Sequence, residues 1–254
     1  MHLLVPGDEL PDVLAPYADV DRSGRDPWVL ANMVGSLDGS ATIDGRVGAL
    51  SQRPDAALFR LMRAVADVVV VGAETVRREG YGSVRLAEDR RAARVAAGRT
   101  AVPTLAVVTR SLDLDWTLPA FVEADAASPT LVITCSDADP ARLEIARQHA
   151  PVVIAGAAAV DLALAMTSLA GLGHHIVLCE GGPSLLGQLV ALGLLDELCL
   201  TLAPLMGADA LPISITPPDA EITPFRLAHT AADGDTLFLR YERSSPWTPT
   251  HSPR

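Results

Sequence analysis

The sequence predicts an α/β fold, in which a mostly parallel central sheet carries helices on both faces and ends in an antiparallel piece. Three observations predict it. Apolar strand-like runs alternate with helical runs along most of the chain, which is the order of a parallel sheet. The strand predicted at residues 67–71 ends in four consecutive valines, as is typical of strands buried on both faces. The turn Asp233-Gly234-Asp235 separates two final strand patterns, which indicates an antiparallel pair.

The individual elements follow from periodicity and from turn residues. Strands are predicted at residues 28–33, 67–71, 104–109, 130–134, 151–155, 175–179, 198–203, 225–229 and 236–241. Helices are predicted at residues 54–66, 140–148, 160–170 and 183–192, with a short one that starts at Gly72. Ser51 or Asp55 is expected to cap the helix at 54–66. The arginine-rich stretch 88–99 predicts a helix or long loop whose charges mostly face water.

The domain organisation is simple. The 254 residues, 49% of them hydrophobic, suffice for one large domain, and no linker divides them. Residues 1–27 are expected to form an irregular lead-in, because they are rich in Pro, Asp and Gly. Residues 28–243 are expected to form the domain itself. Residues 244–254 are polar and rich in proline, so we expect a disordered tail.

Composition excludes several function classes. The net charge of −11 argues against nucleic-acid binding. No apolar run is long enough to span a membrane, and the N-terminus lacks the pattern of a signal peptide, so we expect a cytoplasmic protein. Cys135, Cys179 and Cys199 are widely spaced, which indicates neither a disulfide framework nor a metal site. The chain has no lysine, so an anionic ligand must be held by arginine, hydroxyl groups or backbone N–H groups.

The segment 176–192 carries the strongest functional pattern. An apolar strand ends in Glu180, turns at Gly181-Gly182 and enters a helix at Pro183. Glycine allows a sharp turn and close approach of a ligand, and the free N–H groups of a helix start favour an anion. The pattern fits a nucleotide site, but it also fits an ordinary tight strand-to-helix turn.

Four segments in this order, at residues 32–39, 61–77, 107–111 and 179–185, resemble the pyrimidine reductase family of riboflavin biosynthesis. The resemblance covers about residues 28–241 and implies a dihydrofolate-reductase-like fold. It implies an NADPH-dependent reduction of a small-molecule substrate, a phosphoribosylaminopyrimidine, to its ribitylamino form, as in 5-amino-6-(5-phosphoribosylamino)uracil reductase. The zinc deaminase pattern HxE…PCxxC is absent, which predicts a stand-alone reductase domain. The family commonly pairs, so a homodimer is expected.

Two alternatives stay open. The family often has lysine near Asn32 and a bulky aromatic residue where this chain has Ala49. These departures suggest that an NADPH reductase of the same fold could act on another substrate, such as dihydrofolate or a dihydropterin. A different class is a catalytically silent nucleotide-binding or dimerisation protein.

The resemblance also implies cofactor contacts. They are Val34, Ala49, Thr75, Glu79, Thr109, Arg110, Ser111, Gly181, Gly182, Pro183, Ser184 and Leu185. Thr109 and Arg110 stand at the corner expected to meet the adenosine end, where a hydroxyl and a guanidinium suit the 2′-phosphate of NADPH. Thr75 could equally cap its own helix, and Arg110 could be a surface arginine.

The implied substrate contacts are Asn32, Ser51, Arg63, Arg85 and Glu180. Arg63 is expected to meet the sugar phosphate, although it could instead be an exposed helix residue. Glu180 is a candidate catalytic carboxylate, with a structural hydrogen bond to the glycine turn as the alternative. Asp38 is the second catalytic candidate, because a carboxylate beside the reacting carbon could deliver a proton. Ser-Leu-Asp-Gly is equally what a tight turn prefers.

Overall fold

A computed structural model of the chain describes residues 14–18 and 20–244. Most of the predicted tail and the first part of the predicted lead-in therefore lie outside the described residues. The strands are β1 (Trp28–Gly35), β2 (Val68–Gly72), β3 (Thr104–Val108), β4 (Leu131–Thr134), β5 (Val152–Ile154), β6 (Ile176–Cys179), β7 (Glu197–Leu202), β8 (Phe225–Asp233) and β9 (Thr236–Arg243). The helices are α1 (Ala15–Ala18), α2 (Arg53–Val65), α3 (Ala73–Glu79), α4 (Glu88–Ala96), α5 (Pro119–Val122), α6 (Pro140–His149), α7 (Leu162–Gly171) and α8 (Pro183–Ala191).

Within these residues the strands form a single sheet in the order β5-β4-β3-β2-β6-β1-β7-β9-β8. All pairings from β5 to β7 are parallel, whereas β9 runs antiparallel to both β7 and β8. The predicted fold class, a mostly parallel sheet with an antiparallel C-terminal piece, is confirmed. The central pairings place Val70 opposite Cys179, and Ala31 opposite Cys179 on its other side.

Helices cover both faces of the sheet, as predicted. On one face α7 and α8 pack through side chains such as Leu169 and Leu189. On the other face α1, α2 and α3 pack through Tyr17, Met62 and Val76, among others. Burial of these large side chains is the main favourable term for folding, at about 1.5–3 kcal/mol each. No helix among the described residues is long and apolar enough to cross a membrane.

The α2 helix connects two parallel strands, and this sets its direction. Because β1 and β2 both point towards the same edge of the sheet, α2 must begin at that edge and run away from it. Gln52 is the N-cap residue, and neither Ser51 nor Asp55 makes the predicted capping bond. Asp55 instead lies on the buried side of the helix with Leu58 and Met62.

The arginine-rich stretch differs from its prediction at one residue. Most side chains of α4 are exposed, but Arg94 is only 4% exposed. Its guanidinium donates to the carbonyl oxygens of Ala64, Ala66 and Thr100 at 2.6–2.8 Å. The carbonyl groups at the end of α2 lack helical partners, and Arg94 supplies donors to them. Arg94 is thus the exception in a helix whose charges mostly face water, as predicted.

A buried ionic cluster ties the lead-in to the sheet. Glu197 of β7 is fully buried and accepts hydrogen bonds from Arg22, Trp28 and Arg240 at 2.9–3.1 Å. Burial alone would raise the pKa of Glu197. The hydrogen bonds and charges of Arg22 and Arg240 outweigh this effect and lower the pKa. The residues just before β1 are therefore anchored to the folded domain through Arg22.

Replacing Glu197 by Gln should destabilise the protein by about 3 kcal/mol, because it leaves the buried Arg22 guanidinium without its counter-charge, while Arg240 keeps only Glu242. Urea unfolding at neutral pH measures the loss. A carboxyl with a lowered pKa loses its stabilising contribution as the pH falls below the ordinary range for glutamate. The difference between the two proteins should therefore shrink in acid.

The matched control is Glu88→Gln, which removes an exposed carboxylate that lies 3.5 Å from Arg91. This change should alter the free energy of unfolding by less than about 0.5 kcal/mol. Equal effects of the two substitutions would contradict the anchoring role of Glu197.

Candidate active site

A cavity of about 530 Å³ opens at the edge of the sheet where the parallel strands end. The loops that follow β1, β2 and β6 reach it, and so does the first turn of α2. Its lining residues are Asn32, Met33, Val34, Ala41, Thr42, Gly45, Val47, Gly48, Ser51, Asp55, Phe59, Gly72, Glu74, Thr75, Arg78, Glu79, Tyr81, Glu180, Gly181, Gly182, Pro183, Ser184, Leu185, Leu211 and Ile215. The carboxyl edge of a parallel sheet is where such folds bind ligands.

Two helix starts lie side by side at this edge, because β2 and β6 are neighbours in the sheet. The backbone N–H of Gly72 donates to the carbonyl oxygen of Gly181 at 2.9 Å. Gly181 has φ +90°, which glycine adopts without steric cost. A Cβ on Gly182 would lie 2.8 Å from the Thr75 hydroxyl oxygen. The starts of α3 and α8 thus approach each other as closely as glycine allows.

Glu180 is held by two side chains from distant parts of the sequence. Arg63 of α2 donates from Nε and Nη2 to the two carboxylate oxygens, both at 2.7 Å. The Tyr81 hydroxyl also donates to Oε2. The Arg63 guanidinium stacks 4.2 Å from the centre of the Phe59 ring. Such a bidentate ion pair fixes the orientation of the carboxylate as well as its position.

The protonation of this cluster follows from its surroundings. Burial, reinforced by the Glu180 charge, raises the pKa of Tyr81 well above its ordinary value. Burial would lower the pKa of Arg63, but Glu180 and Tyr81 outweigh it, and the pKa rises. Tyr81 therefore remains a hydrogen-bond donor, and Arg63 remains a cation, across the physiological pH range.

Most of the predicted contacts do come together. Those that line the cavity are Asn32, Val34, Ser51, Thr75, Glu79, Glu180, Gly181, Gly182, Pro183, Ser184 and Leu185. Glu79 also accepts a hydrogen bond from the backbone N–H of Val47 at 3.3 Å, which ties the loop after β1 to α3. Arg63 does not line the cavity itself and acts on it through Glu180.

Asp38 lies outside the cavity and is exposed. Its carboxylate accepts hydrogen bonds from the Ser36 hydroxyl and from the backbone N–H of Gly207 at 2.8 Å. These bonds lower the pKa of Asp38, so the carboxylate stays ionised near neutral pH and holds no proton to deliver. The geometry is that of the tight turn, the second of the two interpretations given to this residue.

The corner after β3 lies beside the cavity without lining it. Its Thr109 hydroxyl oxygen accepts from the Leu112 backbone N–H at 3.0 Å. The Ser111 hydroxyl oxygen accepts from the Asp113 backbone N–H at 3.3 Å, and Arg110 is exposed. Because β3 pairs with β2, this corner is one strand removed from the start of α3.

Two further predicted contacts are also outside the cavity. The Arg85 side chain is 79% exposed and pairs with Glu123 at 2.5 Å. Ala49 is exposed, although its neighbours Val47 and Gly48 line the cavity. The structure therefore does not bring Arg85 or Ala49 to the other predicted contacts.

The lining residues that were not predicted as contacts include Asp55, Phe59 and Tyr81. Asp55 and Phe59 are four residues apart in α2, so they share one side of the helix. That spacing was readable in the sequence once α2 was predicted. No pattern marked Tyr81, which follows the helix-ending Gly80 in an irregular segment.

The fold and the site can be compared with those of known proteins. A reductase from Methanothermobacter thermautotrophicus is 31% identical over 188 residues, which are 72% of this chain and 82% of the relative. That protein is named 2,5-diamino-6-ribosylamino-4(3H)-pyrimidinone 5′-phosphate reductase.

Solved structures agree with this relationship. A pyrimidine reductase-like protein from Corynebacterium diphtheriae superposes with a TM-score of 0.79 at 28% identity, covering 92% of this chain and 95% of that one. The riboflavin biosynthesis reductase Rib7 of Saccharomyces cerevisiae shares the fold, with a TM-score of 0.63 at 15% identity and coverage of 90% and 95%.

The family model described as the RibD C-terminal domain matches residues 27–239, which is most of the described structure. The matched range begins one residue before β1 and ends within β9. It contains every residue that lines the cavity. The predicted resemblance is confirmed: the chain belongs to the RibD C-terminal domain family.

Proposed function

We propose that the cavity is the active site in which this reductase uses NADPH to convert a phosphoribosylaminopyrimidine to its ribitylamino form. One observation carries the proposal. The paired helix starts and the Glu180 cluster face the same cavity, so a dinucleotide phosphate and a polar substrate can meet there. The name of the archaeal relative supports this substrate class.

The residues at the helix starts fit a dinucleotide. Gly182 has no side chain to cover the backbone N–H groups at the start of α8, so a pyrophosphate can approach them, and the Thr75 hydroxyl lies beside Gly182. Ser184 and Leu185 line the cavity in the first turn of α8. Val34 adds an apolar side chain to the lining of the same cavity. When bound, the nicotinamide cofactor supplies the hydride that adds to C1′ of the opened sugar.

The substrate occupies the part of the cavity bordered by α2 and Glu180. The ribosylamine opens to an imine when a proton moves from its nitrogen to the ring oxygen, and reduction then adds one hydride to C1′ and one proton to the nitrogen. Glu180 accepts one further hydrogen bond, from a sugar hydroxyl group, at Oε1 and thereby holds C1′ in place. Tyr81 and Arg63 keep the carboxylate oriented. Asn32 and Ser51 are additional polar contacts.

The exposed Arg110 is proposed to select NADPH over NADH, because a guanidinium suits a 2′-phosphate. Asp38, Ala49 and Arg85 lie away from the cavity, and the proposed reaction gives them no role. A homodimer and a cytoplasmic location also remain proposals. The segment after β7 exposes Met206 and Ile222, which a second copy could cover.

The direct test supplies purified protein with NADPH and a phosphoribosylaminopyrimidine and follows the loss of NADPH absorbance. We expect oxidation of NADPH and formation of the ribitylamino product, identified by mass spectrometry. Tight binding of NADPH with no product would contradict the proposed reaction. Light scattering on the same sample reports whether two copies associate.

The Gly182→Ala substitution should weaken NADPH binding by tenfold or more, since the new methyl group would meet the Thr75 hydroxyl. Calorimetry measures the dissociation constant. Gly171→Ala is the control, because nothing lies within 4 Å of its Cβ position. Unchanged NADPH affinity in Gly182→Ala would argue against a cofactor at the paired helix starts.

Removal of the Tyr81 hydroxyl in Tyr81→Phe should lower kcat about tenfold, the value of one hydrogen bond to a charged group. The ring beside Arg63 is kept, so the melting temperature and the Kd for NADPH should change little. Tyr241→Phe removes a hydroxyl from β9, outside the cavity, and should leave kcat unchanged. Normal turnover in Tyr81→Phe would mean that orientation of Glu180 does not limit the reaction.

Arg110→Gln should reduce the preference for NADPH over NADH about tenfold through loss of a charge-assisted hydrogen bond. The readout is the ratio of kcat/KM for the two cofactors. Arg147→Gln is the control, since Arg147 lies in the last turn of α6, which runs away from the cavity edge. A preference that survives in Arg110→Gln would remove this residue from the cofactor site.

A further inference from the structure

One wall of the cavity is built from two segments that leave the sheet side by side. Residues 36–48 follow β1 and residues 205–215 follow β7, and together they are called the flap below. Because β1 pairs with β7, the two segments start next to each other, and the Ala203 backbone N–H donates to the carbonyl oxygen of Gly35 at 2.9 Å. Both segments reach the cavity, and their lining residues include Thr42, Val47 and Leu211.

The two segments of the flap are joined along most of their length. Backbone hydrogen bonds of 2.8–3.2 Å connect Leu37 with Leu205, Gly39 with Ile213, Ala41 with Leu211 and Thr42 with Asp209. The Asp209 carboxylate adds a further tie, since its Oδ2 accepts from the Gly45 backbone N–H and from the Thr42 hydroxyl, both at 2.8 Å. These bonds lower the pKa of Asp209, so the carboxylate stays ionised at neutral pH. The flap is therefore tied into one body.

The flap is held by a small apolar cluster of its own. This cluster is separate from the two large cores on the faces of the sheet, and its members are Val34, Ile43, Val47, Leu50, Ala203 and Leu205. The end of the second segment rests on α8, where the Ile215 backbone N–H donates to the carbonyl oxygen of Pro183 at 3.0 Å. A part of a protein with few buried apolar contacts opens at a lower free energy than the core does.

The free edge of the flap meets α3 at a seam. Within the part of the chain that the structure describes, one hydrogen bond crosses this seam, from the Val47 backbone N–H to the Glu79 carboxylate at 3.3 Å. Residues 44–46, which precede Val47, are exposed. The α3 side of the seam carries Thr75 and Glu79, which are proposed cofactor contacts. The weakest attachment of the flap thus borders the place proposed for the cofactor.

We propose that the flap is a lid, which opens at the seam to admit NADPH and closes when the cofactor is bound. Asp209 is the positioning residue that makes its two segments move together. The proposal rests on the proposed function and extends it. Closure serves the reaction because water that reaches the imine hydrolyses it to the open-chain sugar aldehyde and the free amine before hydride can add.

Trypsin reports the opening of the flap. The chain has no lysine, and between residues 28 and 59 trypsin can cleave only after Arg46, because Arg53 is followed by Pro54. The Arg46–Val47 bond lies at the seam, so its cleavage follows the population of the open flap. Cleavage after Arg90, in α4, is the internal reference for the stability of the rest of the protein. Mass spectrometry of the fragments gives both rates.

Saturating NADPH should slow cleavage after Arg46 at least tenfold and leave cleavage after Arg90 unchanged. Without cofactor, Asp209→Ala should speed cleavage after Arg46 at least fivefold. Asp209→Asn keeps one acceptor oxygen, so its rate should lie between those of the wild type and Asp209→Ala. Asp219→Ala, at an exposed residue beyond the flap, is the matched control and should behave as the wild type.

The kinetic constants give a second measurement. In Asp209→Ala the KM for NADPH should rise by a larger factor than kcat falls, because saturating cofactor holds the weakened flap closed. A fall in kcat at unchanged KM would contradict closure on the cofactor.

The outcomes separate the lid from the reaction. Binding of NADPH, measured by calorimetry, without slower cleavage after Arg46 would overturn the lid, and this wild-type comparison holds even if Asp209→Ala fails to fold. Equal acceleration after Arg46 and Arg90 in Asp209→Ala would show a general loss of stability and overturn the positioning role. Protection by NADPH without any ribitylamino product would keep the lid and refute the proposed function. Failure of NADPH to bind at all would refute both.

Discussion

The parallel pairing of β2 with β6 is the constraint on which the rest of the site depends. It brings the ends of two strands that are more than a hundred residues apart in sequence to adjacent positions at one edge of the sheet. The helices that follow them start so close together that only glycine fits at position 182. The same pairing carries Glu180 to the α2 side of the cavity, where Arg63 reaches it. A change that shifted this register would disturb the paired helix starts and the carboxylate together.

The sequence was sufficient to predict the helices and strands but not the order in which the strands pair. The predicted strands and long helices agree with the observed ones to within a few residues, because alternation of apolar and turn residues is a local property. The order of the strands in the sheet is not a local property. The β6 strand lies between β2 and β1, and the sequence of a strand does not show which strands it pairs with. The short helices α1 and α5 were missed because four residues carry no period. The burial of Arg94 could not be predicted, because its partners are backbone carbonyl oxygens, which a pattern of side chains does not show.

In the candidate site, too, local features could be predicted from the sequence and contacts between distant residues could not. Thr75, Glu180 and the Gly181-Gly182 turn were predicted as contacts and all line the cavity, because each stands where a strand passes into a helix and that position can be read from sequence. Arg63 was predicted to contact a phosphate, and its partner in the structure is Glu180, 117 residues away. Asp38 was weighed between catalysis and a turn, and its hydrogen bonds with Ser36 and Gly207 support the turn.

The two carboxyl groups of the cavity differ in what their surroundings leave for a ligand. Glu180 already accepts three hydrogen bonds, from Arg63 and Tyr81, so its position is set before any ligand binds. Asp55 accepts one, from Ser51, and keeps a buried oxygen unused. A pre-oriented group suits the part of a substrate whose geometry decides the reaction, which is the sugar. Asp55 therefore keeps acceptor capacity for a donor that a ligand would bring, whereas most of the acceptor capacity of Glu180 is already used within the protein.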